Sequence, residues 1–301
     1  MLRVILNPYS NRWRARERWP QAEEALRKAG LDFDLVISRR KGHIVELAEQ
    51  AIREGASGII VAGGDGSIGE AVNGMIRALG SVDAPLPPLG ILPLGSANDF
   101  VCNIGLPLDL FQAAQVIAQG KTEQFDLCQC NERYFVNNSA IGLEPYVTTK
   151  HERIEWIKGQ TRYIVAALWA IAEGPGWEAH IEWEGGTYDG PITLLSVGNA
   201  PRTGGAFYMT PHADPRDGRL TFVFGYRSSR LALLQVMPAT MKPGAGNYVE
   251  LPGVYEYHTS FVKIALKKPS PAHTDGELFD EWLQHLEYRI HPGRLTVYVA
   301  R

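Results

Sequence analysis

The fold of the first third of the chain depends on one stretch, which runs Ile59-Ile60-Val61-Ala62-Gly63-Gly64-Asp65-Gly66-Ser67-Ile68-Gly69. Its apolar, β-branched beginning predicts a buried strand, and the apolar residues after the glycines repeat with helical spacing as far as Leu79. Backbone N–H groups and the dipole at the start of such a helix attract anions. Glycines let the backbone approach phosphate oxygens closely and adopt positive φ angles. The stretch therefore predicts a phosphate-binding loop between a strand and a helix.

The residues of this loop alone leave three interpretations open. The loop fits the phosphates of a nucleoside triphosphate in a phosphotransferase, and it also fits a tight strand-to-helix turn that binds no ligand. Gly64 to Gly69 match G-x-G-x-x-G, a weak signature of dinucleotide-binding oxidoreductases. Such enzymes need an acidic residue at the end of the next strand, whereas the nearest candidate, Asp83, stands in a loop-like stretch. The sequence contains no G-x-x-x-x-G-K-[ST] P-loop, so a kinase would use another scaffold.

A second polar loop, from Pro93 to Phe100, follows the next apolar run, Leu89 to Leu92. Neighbouring parallel strands end at the same edge of a sheet, so we expect both loops to line one crevice. Ser96 or Asn98 also fits as the cap of a short helix, because either side chain can accept a hydrogen bond from a free N–H group. The two roles are compatible.

Two regions differ in the order of their predicted elements. The first alternates strands and helices, which predicts a parallel, Rossmann-like sheet with right-handed crossovers. From about residue 124 strands follow one another, so antiparallel pairing is favoured, with helices expected only at about Trp156 to Ala172 and Ser229 to Met241. We predict a nucleotide-binding α/β domain at 1–124 and a mainly antiparallel β-sandwich domain for substrate and metal at 125–301.

Composition excludes several classes of protein. The 301 residues are 45% hydrophobic, which suits a globular protein of two domains. A net charge of -3 argues against nucleic acid as a partner. Three cysteines, Cys102, Cys128 and Cys130, form neither a disulfide framework nor a four-ligand metal site. The longest apolar stretch, Tyr163 to Ala172, is too short to cross a bilayer, and no export signal is visible. We expect a cytoplasmic protein with at most peripheral membrane contact.

Both loops resemble signatures of one known family. Gly63 to Ser67 match the GGDG[TS] signature of diacylglycerol kinase catalytic domains, and Pro93 to Phe100 match their P-x-G-[TS]-x-N-D-F signature. Asn7 to Ser10 resemble the family's opening N-P-x-[SA], and Asp275 to Glu277 resemble its late D-G-E. The resemblance covers nearly the whole chain and is closest to bacterial soluble lipid kinases. It implies an NAD kinase-like two-domain fold and the ATP- and Mg²⁺-dependent phosphorylation of diacylglycerol or a related lipid alcohol.

The resemblance also implies a site. Glu277 would accept the proton of the lipid hydroxyl, and Asp65 would help fix the geometry of the metal and nucleotide. On sequence alone, a solvated carboxylate beside a turn glycine is the alternative for Glu277. Asn11 replaces the family's usual glycine, and asparagine tolerates the left-handed conformation best after glycine. The residues implied around the nucleotide are Asn7, Pro8, Tyr9, Ser10, Asn11, Ser38, Gly64, Asp65, Gly66, Ser67, Ile68, Gly69, Glu70 and Ser96.

A later segment, from Gly204 to Leu220, resembles the family stretch that holds a structural magnesium ion. By that resemblance Asp217 would supply a carboxylate, and Asp214 and Arg219 would supply backbone carbonyls, which are the oxygen ligands that magnesium prefers. The alternative for Asp217 and its following glycine is an Asp-Gly hairpin turn.

Two further functions and one basic segment stay open. A kinase of the NAD kinase type shares the GGDG loop, and a binding protein without turnover would fit the change at Asn11. Between Arg12 and Trp19, arginines interleave with tryptophans, which fits contact with anionic headgroups or phosphates, or a solvated helix face with buried Trp. The predicted partners are a lipid substrate at the inner membrane face and a second copy in a homodimer.

Overall fold

The computed structural model describes residues 1–154 and 160–300. The main sheet begins with parallel strands at the apolar runs that the sequence analysis predicts: β1 (Leu2–Leu6), β2 (Phe33–Ile37), β3 (Gly58–Gly63) and β4 (Leu89–Pro93). They lie side by side in the order β2-β1-β3-β4, and every pair is parallel. The phosphate loop therefore leaves the sheet at the carboxyl end of a central strand.

Helices cover both faces of these strands: α1 (Arg14–Lys28), α2 (His43–Arg53), α3 (Asp65–Leu79), α4 (Asp99–Asn103) and α5 (Leu110–Gln119). Helices α2 and α3 pack on one face with Ile5, Ile59 and Val61. Helices α1 and α5 pack on the other face with Leu6 and Ile60. Successive side chains of a strand point to opposite faces, which is why the apolar runs are continuous rather than alternating.

The rest of the described chain is mostly antiparallel. Its elements are β5 (Thr122–Cys130), β6 (Arg133–Phe135), β7 (Asn138–Gly142), α6 (Leu143–Arg153), α7 (Gln160–Glu173), β8 (Trp177–Trp183), β9 (Gly186–Ile192), β10 (Leu194–Gly198), β11 (Arg202–Thr203), β12 (Phe207–Tyr208), β13 (Leu220–Gly225), α8 (Arg230–Thr240), a 3₁₀ turn (Tyr248–Glu250), β14 (Val254–Thr259), β15 (Phe261–Ser270), β16 (Ala272–Thr274), β17 (Glu277–Leu278) and β18 (Leu283–Tyr298).

These strands form two packed sheets. One is six-stranded, in the order β14-β13-β10-β7-β16-β17. The other continues the main sheet through β18-β15-β8-β9, with β5 and β6 beside β18. Side chains that include Ile181, Phe222 and Ile264 share one apolar core contributed by both sheets. The predicted fold class, an α/β domain with a parallel sheet followed by an antiparallel β-sandwich, is confirmed.

Strand β18 joins the two parts, because it pairs in parallel with β4 and antiparallel with β5 and β15. The succession of strands predicted from about residue 124 does not anticipate that one of them runs unbroken from Leu283 to Tyr298. Pro292 and Gly293 read locally as a turn, but the pairing with β5 shifts register between His291 and Leu295, and this bulge accommodates them inside one strand. The predicted boundary near residue 124 falls within β5 and stays a prediction.

Two helices of the second region, α6 and α7, differ in how well the sequence predicts them. The predicted helix from Trp156 to Ala172 corresponds to α7 from Gln160 onward, and residues 155–159 lie outside the described residues. Helix α6 is not predicted from sequence, because Pro145 reads as a helix breaker, although proline is tolerated in a first turn. Across residues 1–154 and 160–300, no helix is both long enough and apolar enough to span a bilayer.

The close packing of α2 on α3 gives a test of the α/β domain. A Cβ atom on Gly74 would lie 2.2 Å from the carbonyl oxygen of Val45, so Gly74→Ala must push the two helices apart. We expect the free energy of unfolding in urea to fall by about 1–3 kcal/mol. Gly244→Ala is the matched control, because nothing lies within 4 Å of its Cβ position. Equal unfolding curves for the two variants would contradict this packing.

Candidate active site

The two glycine-rich loops touch each other. A Cβ atom on Gly95 would lie only 2.4 Å from the Cα atom of Gly64, so both positions must lack a side chain for the loops to pass this closely. Gly64 precedes α3 and leaves the N–H groups of that helix's first turn directed out of the sheet edge. The two loops therefore line one crevice, as expected, and their backbones touch at Gly64 and Gly95.

Asp65 ties the first loop to the second. Its two carboxylate oxygens accept hydrogen bonds from the N–H groups of Asp99, at 3.1 Å, and Phe100, at 2.9 Å. These are the first residues of α4, so Asp65 caps a helix that lies 34 residues further along the chain. The family resemblance implies a role for Asp65 in the metal and nucleotide geometry, and nothing in the local sequence indicates this structural role.

A cluster of small polar side chains surrounds the start of α3. The amide nitrogen of Asn7 donates to the Oγ atom of Ser67 at 2.9 Å, and Ser10 Oγ lies 3.4 Å from the same atom. The hydroxyl of Ser96 donates to Asn11 Oδ1 at 3.1 Å. Three loops thus bring together predicted nucleotide residues. The φ angle of Asn11 is 52°, the left-handed conformation expected when asparagine replaces glycine there.

Other predicted nucleotide residues lie beneath or beside this cluster. Pro8 is buried after β1, and Tyr9 donates its hydroxyl hydrogen bond to the carbonyl of Arg39 at 2.8 Å. The hydroxyl of Ser38 donates to the carbonyl of Arg40 at 3.2 Å, within the loop before α2. The side chain of Ile68 is buried in the core, so only its backbone is available to a ligand.

Gly69 and Glu70 face a different part of the molecule. A Cβ atom on Gly69 would lie 3.0 Å from Asp275 Oδ2, which shows how closely α3 and the late D-G-E turn approach. Glu70 accepts a hydrogen bond from the N–H of Gly42, at 3.3 Å, just before α2. Burial raises the pKa of Glu70, the Gly42 bond opposes this shift, and the charge of Glu277 adds to it.

In the basic segment after Asn11, the two tryptophans have different environments. Trp19 is half-buried and packs against the core, as a solvated helix face with buried tryptophan requires. Trp13 is exposed instead and packs edge-on against Tyr9, with ring centroids 4.5 Å apart. The expectation of buried tryptophan therefore fails at Trp13, because this residue precedes α1 in a left-handed turn that turns it outward.

Glu277 lies directly over the start of α3. It begins β17, after a turn at Asp275 and Gly276 in which both residues have positive φ angles. A Cβ atom on Gly66 would lie 3.0 Å from Glu277 Oε1, and Lys41 Nζ lies 3.4 Å from Glu277 Oε2. A side chain at position 66 would make the Glu277 side chain shift away from the helix. A carboxylate and an ammonium group therefore flank the first turn of α3.

Asp275 holds this turn in place from below. Its buried carboxylate accepts hydrogen bonds of 2.9 to 3.1 Å from the backbone N–H groups of Val136, Asn137 and Asn138. Burial raises the pKa of Asp275 to about 7 against the opposing effect of these bonds, and the charge of Asp65 adds to the shift. The position of Glu277 thus depends on a buried acid whose role the sequence analysis does not assign.

Asp99 is a second acid that sequence reasoning missed. Each of its carboxylate oxygens lies 3.1 Å from the N–H of Gly205, and Arg202 Nε lies 3.5 Å away. Burial and the neighbouring charge of Asp65 raise the pKa of Asp99 to about 6, although Arg202 opposes the shift. The sequence feature that could have indicated this role is the Asn98-Asp99 pair of the second loop. Asp99 is buried, and its partner Gly205 lies 106 residues further along the chain.

The predicted magnesium segment is rich in oxygen atoms. Asp217 accepts the N–H of Arg219 at 2.8 Å, and the carbonyl of Asp214 accepts the N–H of Asp217 at 3.4 Å. Asp126 accepts the N–H groups of Gly218 and Gly293. Burial raises the pKa of Asp126 against these two bonds, and the charges of Asp217 and Asp214 add to it. A cation here would relieve that repulsion, so the donors fit magnesium.

Two observations qualify this metal segment. Within the described residues, no group of three or more His, Cys, Asp and Glu side chains is arranged to hold a metal ion. The predicted set has only one carboxylate, from Asp217, and two carbonyls. Gly218 has the positive φ angle of a turn, but β13 pairs only with β10 and β14, so the turn does not connect two paired strands.

Two cavities adjoin the site. A cleft of about 1190 Å³, with several charged residues in its lining, extends from Glu277 and Gly66 past Glu70 toward Arg133 and Phe279. A smaller cavity of about 120 Å³ is mostly apolar and lies within the second region. Its lining residues include Leu143, Glu144, Val147, Ala167, Ile171, Thr203, Gly204, Phe207, Leu233 and Val236.

Glu144 is the charged group of the smaller cavity. Burial acts to raise its pKa, but hydrogen bonds from His273 at 3.1 Å and Ser196 at 3.0 Å outweigh burial and hold the pKa below its usual value. The carboxylate therefore stays ionised at the end of an apolar space. A ligand with an apolar body and a hydroxyl group is complementary to such a lining.

The parallel sheet, the paired glycine loops and the sandwich define a two-domain protein of the kinase class. Residues 1–130 match the model of the diacylglycerol kinase catalytic domain, and residues 138–299 match the YegS C-terminal NAD kinase beta sandwich-like domain. The second match spans more than half of the chain, so the chain belongs to the family with a YegS C-terminal NAD kinase beta sandwich-like domain, and its first region is similar to the diacylglycerol kinase catalytic domain. The resemblance predicted from the motifs is confirmed.

Relatives and a solved structure agree with this family. A diacylglycerol kinase of Staphylococcus carnosus (strain TM300) is 26% identical over 91% of this chain and 88% of its own length. One from Staphylococcus aureus (strain MRSA252) is 27% identical over 91% and 85%. The crystal structure of a diacylglycerol kinase from Bacillus anthracis str. Sterne covers 99% of this chain and 96% of that chain, with a TM-score of 0.72 and 19% identity. At that identity it supports the fold.

The raised pKa of Asp99 predicts a pH-dependent stability. Because this pKa, about 6, exceeds that of a carboxyl in the unfolded chain, about 4, the folded state binds the proton more tightly. The stabilisation is present at low pH and is lost as pH rises through about 6. Relative to Asp99→Asn, which cannot ionise, the wild-type free energy of unfolding should fall by up to about 3 kcal/mol.

Urea unfolding of both proteins between about pH 4 and pH 8 measures this difference. The contributions of the other acidic residues to the pH dependence are common to both proteins and cancel in the difference. The matched control is Asp32→Asn, at an exposed aspartate. A difference between wild type and Asp99→Asn that does not depend on pH would contradict the raised pKa.

Proposed function

We propose that the chain is an ATP- and Mg²⁺-dependent lipid kinase that phosphorylates the hydroxyl of diacylglycerol or a related lipid alcohol. One observation carries the proposal: the Glu277 carboxylate lies over Gly66, at the helix end where phosphates would bind. A base beside bound phosphates is the arrangement that phosphoryl transfer to a hydroxyl needs. Family membership supports the kinase class, and the names of the curated relatives support diacylglycerol as the acceptor.

The phosphates would bind at the first turn of α3. The N–H groups of Gly66 and Ser67 supply hydrogen bonds, and the hydroxyls of Ser10, Ser67 and Ser96 extend the set. Asn7 orients Ser67, and Asn11 orients Ser96. Asp65 contributes by holding the second loop rather than by touching a phosphate, because both of its oxygens are used to cap α4.

The transfer itself would proceed at Glu277. The lipid hydroxyl oxygen attacks the terminal phosphorus of ATP, its proton passes to a carboxylate oxygen of Glu277, and ADP leaves. Lys41, now 3.4 Å from Glu277 Oε2, carries a positive charge that suits the transferred phosphoryl group. Magnesium, when bound, neutralises phosphate charge, and the structural ion would be held by the Asp217 carboxylate with the Asp214 and Arg219 carbonyls.

The lipid would approach from the second region. The apolar cavity between α6, α7 and α8 suits part of an acyl chain, and the ionised Glu144 suits a polar group of the lipid. Such a substrate resides in a membrane. We therefore place the protein in the cytoplasm, in peripheral contact with the inner face of the membrane.

The central experiment is a transfer assay with γ-labelled ATP, Mg²⁺ and a total lipid extract, followed by mass spectrometry of the labelled product. We expect a phosphorylated lipid alcohol. Glu277→Gln should lower turnover by about 10²- to 10⁴-fold while ATP binding, measured by calorimetry, is unchanged. Glu281→Gln, at an exposed glutamate four residues away, is the control and should retain full rate. Labelled NADP formed from added NAD, with no labelled lipid, would instead indicate an NAD kinase.

The metal proposal has its own test. Because Asp217 would bind through its carboxylate and Asp214 only through its carbonyl, Asp217→Asn should lose the rise in unfolding temperature caused by MgCl₂. Asp214→Asn leaves the backbone carbonyl in place and should keep that rise. Thermal unfolding across a MgCl₂ titration measures both. Equal responses of the two variants would remove Asp217 from the ligand set.

A further inference from the structure

The solvent-facing side of α8 is largely apolar, and Gln235 is its exposed polar residue between Leu231 and Met241. Leu231 is 65% exposed, and the exposed Leu234 and Met241 follow it at roughly helical spacing. The opposite side of the same helix, with Leu233 and Val236, is buried. A surface helix normally turns charged or polar residues to water, yet residues 231–241 contain no charged residue. This side of α8 therefore lacks a covering that an isolated soluble domain would need.

Helix α7 adds to this surface. Its Leu168 and Trp169 are 46% and 41% exposed, whereas Ala170 and Ile171 are buried. Inner residues of α7 and α8 line the same apolar cavity, so their outer sides both face away from it. The helices also meet end to end, because Arg230 Nε would lie 3.5 Å from a Cβ atom on Gly174, just after α7. We call the exposed residues Leu168, Trp169, Leu231, Leu234 and Met241 the α7–α8 face.

The charges beside this face are mostly basic; the acidic residues next to it are Glu173 and Glu250, whose carboxylate accepts the N–H of Gly246. Residues 226–249 include Arg227, Arg230 and Lys242 but no acidic residue, although the whole chain has a net charge of -3. On α7, Glu173 is paired with Lys150 at 2.8 Å. An apolar surface with a basic border is complementary to an anionic bilayer, where each Lys or Arg near the headgroups contributes about 1 kcal/mol.

We propose that the α7–α8 face docks on the surface of an anionic lipid bilayer. Its leucines and methionine enter the boundary between headgroups and acyl chains, Trp169 lies at that boundary, and Arg227, Arg230 and Lys242 contact lipid phosphates. Because the apolar cavity lies directly beneath the same two helices, a lipid passes from the bilayer to the cavity without crossing water. This last step rests on the proposed lipid kinase function, whereas the docking itself does not.

The test uses sedimentation with vesicles and omits nucleotide and diacylglycerol. Wild-type protein should bind vesicles of phosphatidylcholine with about one third phosphatidylglycerol, and less strongly pure phosphatidylcholine. Leu231→Glu should weaken vesicle binding by about tenfold or more. The substitution removes a leucine that would enter the bilayer, and the new carboxylate repels the anionic lipid. Leu108→Glu makes the same substitution at another exposed leucine, 51% exposed, and should bind as wild type. Circular dichroism confirms that both variants fold.

A second readout locates the contact. Lipids brominated on their acyl chains quench tryptophans that enter the bilayer, and most of that quenching should be lost in Trp169→Phe. Equal vesicle binding by Leu231→Glu and wild type would overturn the proposal. So would a wild-type dimer that Leu231→Glu converts to a monomer with unchanged vesicle binding, because the face would then join two copies of the chain.

The outcome for docking is separable from that for the kinase. On a short-chain diacylglycerol dissolved in water, Leu231→Glu should turn over at the wild-type rate, and only its rate on vesicle lipid should fall. Loss of vesicle binding by Leu231→Glu without any lipid phosphorylation by the wild type would support the docking surface and reject the proposed function. If the wild type phosphorylates lipid but binds no vesicles, the result would support the proposed function and reject the docking surface.

Discussion

The contact between the backbones of Gly64 and Gly95 is the constraint on which the site depends. Two loops from neighbouring parallel strands pass so closely that a Cβ atom on Gly95 would clash with Gly64, and one on Gly64 would lie 3.0 Å from the Cα atom of Gly95. Asp65 can cap α4 only because the loops lie at this distance. The motif glycines are thus required by the packing of the protein on itself, in addition to any approach of a phosphate. A helix end that is fixed by its neighbours needs little reorganisation when an anion binds.

Buried acids extend this constraint to distant segments. Asp99 holds the loop at Gly205, and Asp275 holds the turn that carries Glu277. Each accepts backbone hydrogen bonds, yet burial and the charge of Asp65 raise the pKa of both. Keeping two acids near a third is unfavourable, so the arrangement costs stability in the empty protein.

Local pattern predicts much of this fold and less of its site. The apolar runs and helical repeats suffice for the parallel sheet, since each lies within one short segment, and the tolerance of asparagine for left-handed backbone anticipates Asn11. The bulge at Pro292 and Gly293 was missed because a turn and a bulge have the same local sequence. The roles of Asp99 and Asp275 depend on partners more than a hundred residues away, and no periodicity records such pairs.

The loop between Arg202 and Gly205 connects the two halves of the proposed reaction. On one side Gly205 donates to Asp99, which Asp65 links to the phosphate loop. On the other side Thr203 and Gly204 line the apolar cavity. A lipid that fills the cavity would press on the same few residues that the nucleotide loops hold. Both carboxylate oxygens of Asp99 accept the Gly205 N–H, so a displacement of this loop would disturb Asp99. Binding of the two substrates is therefore expected to be coupled through this loop.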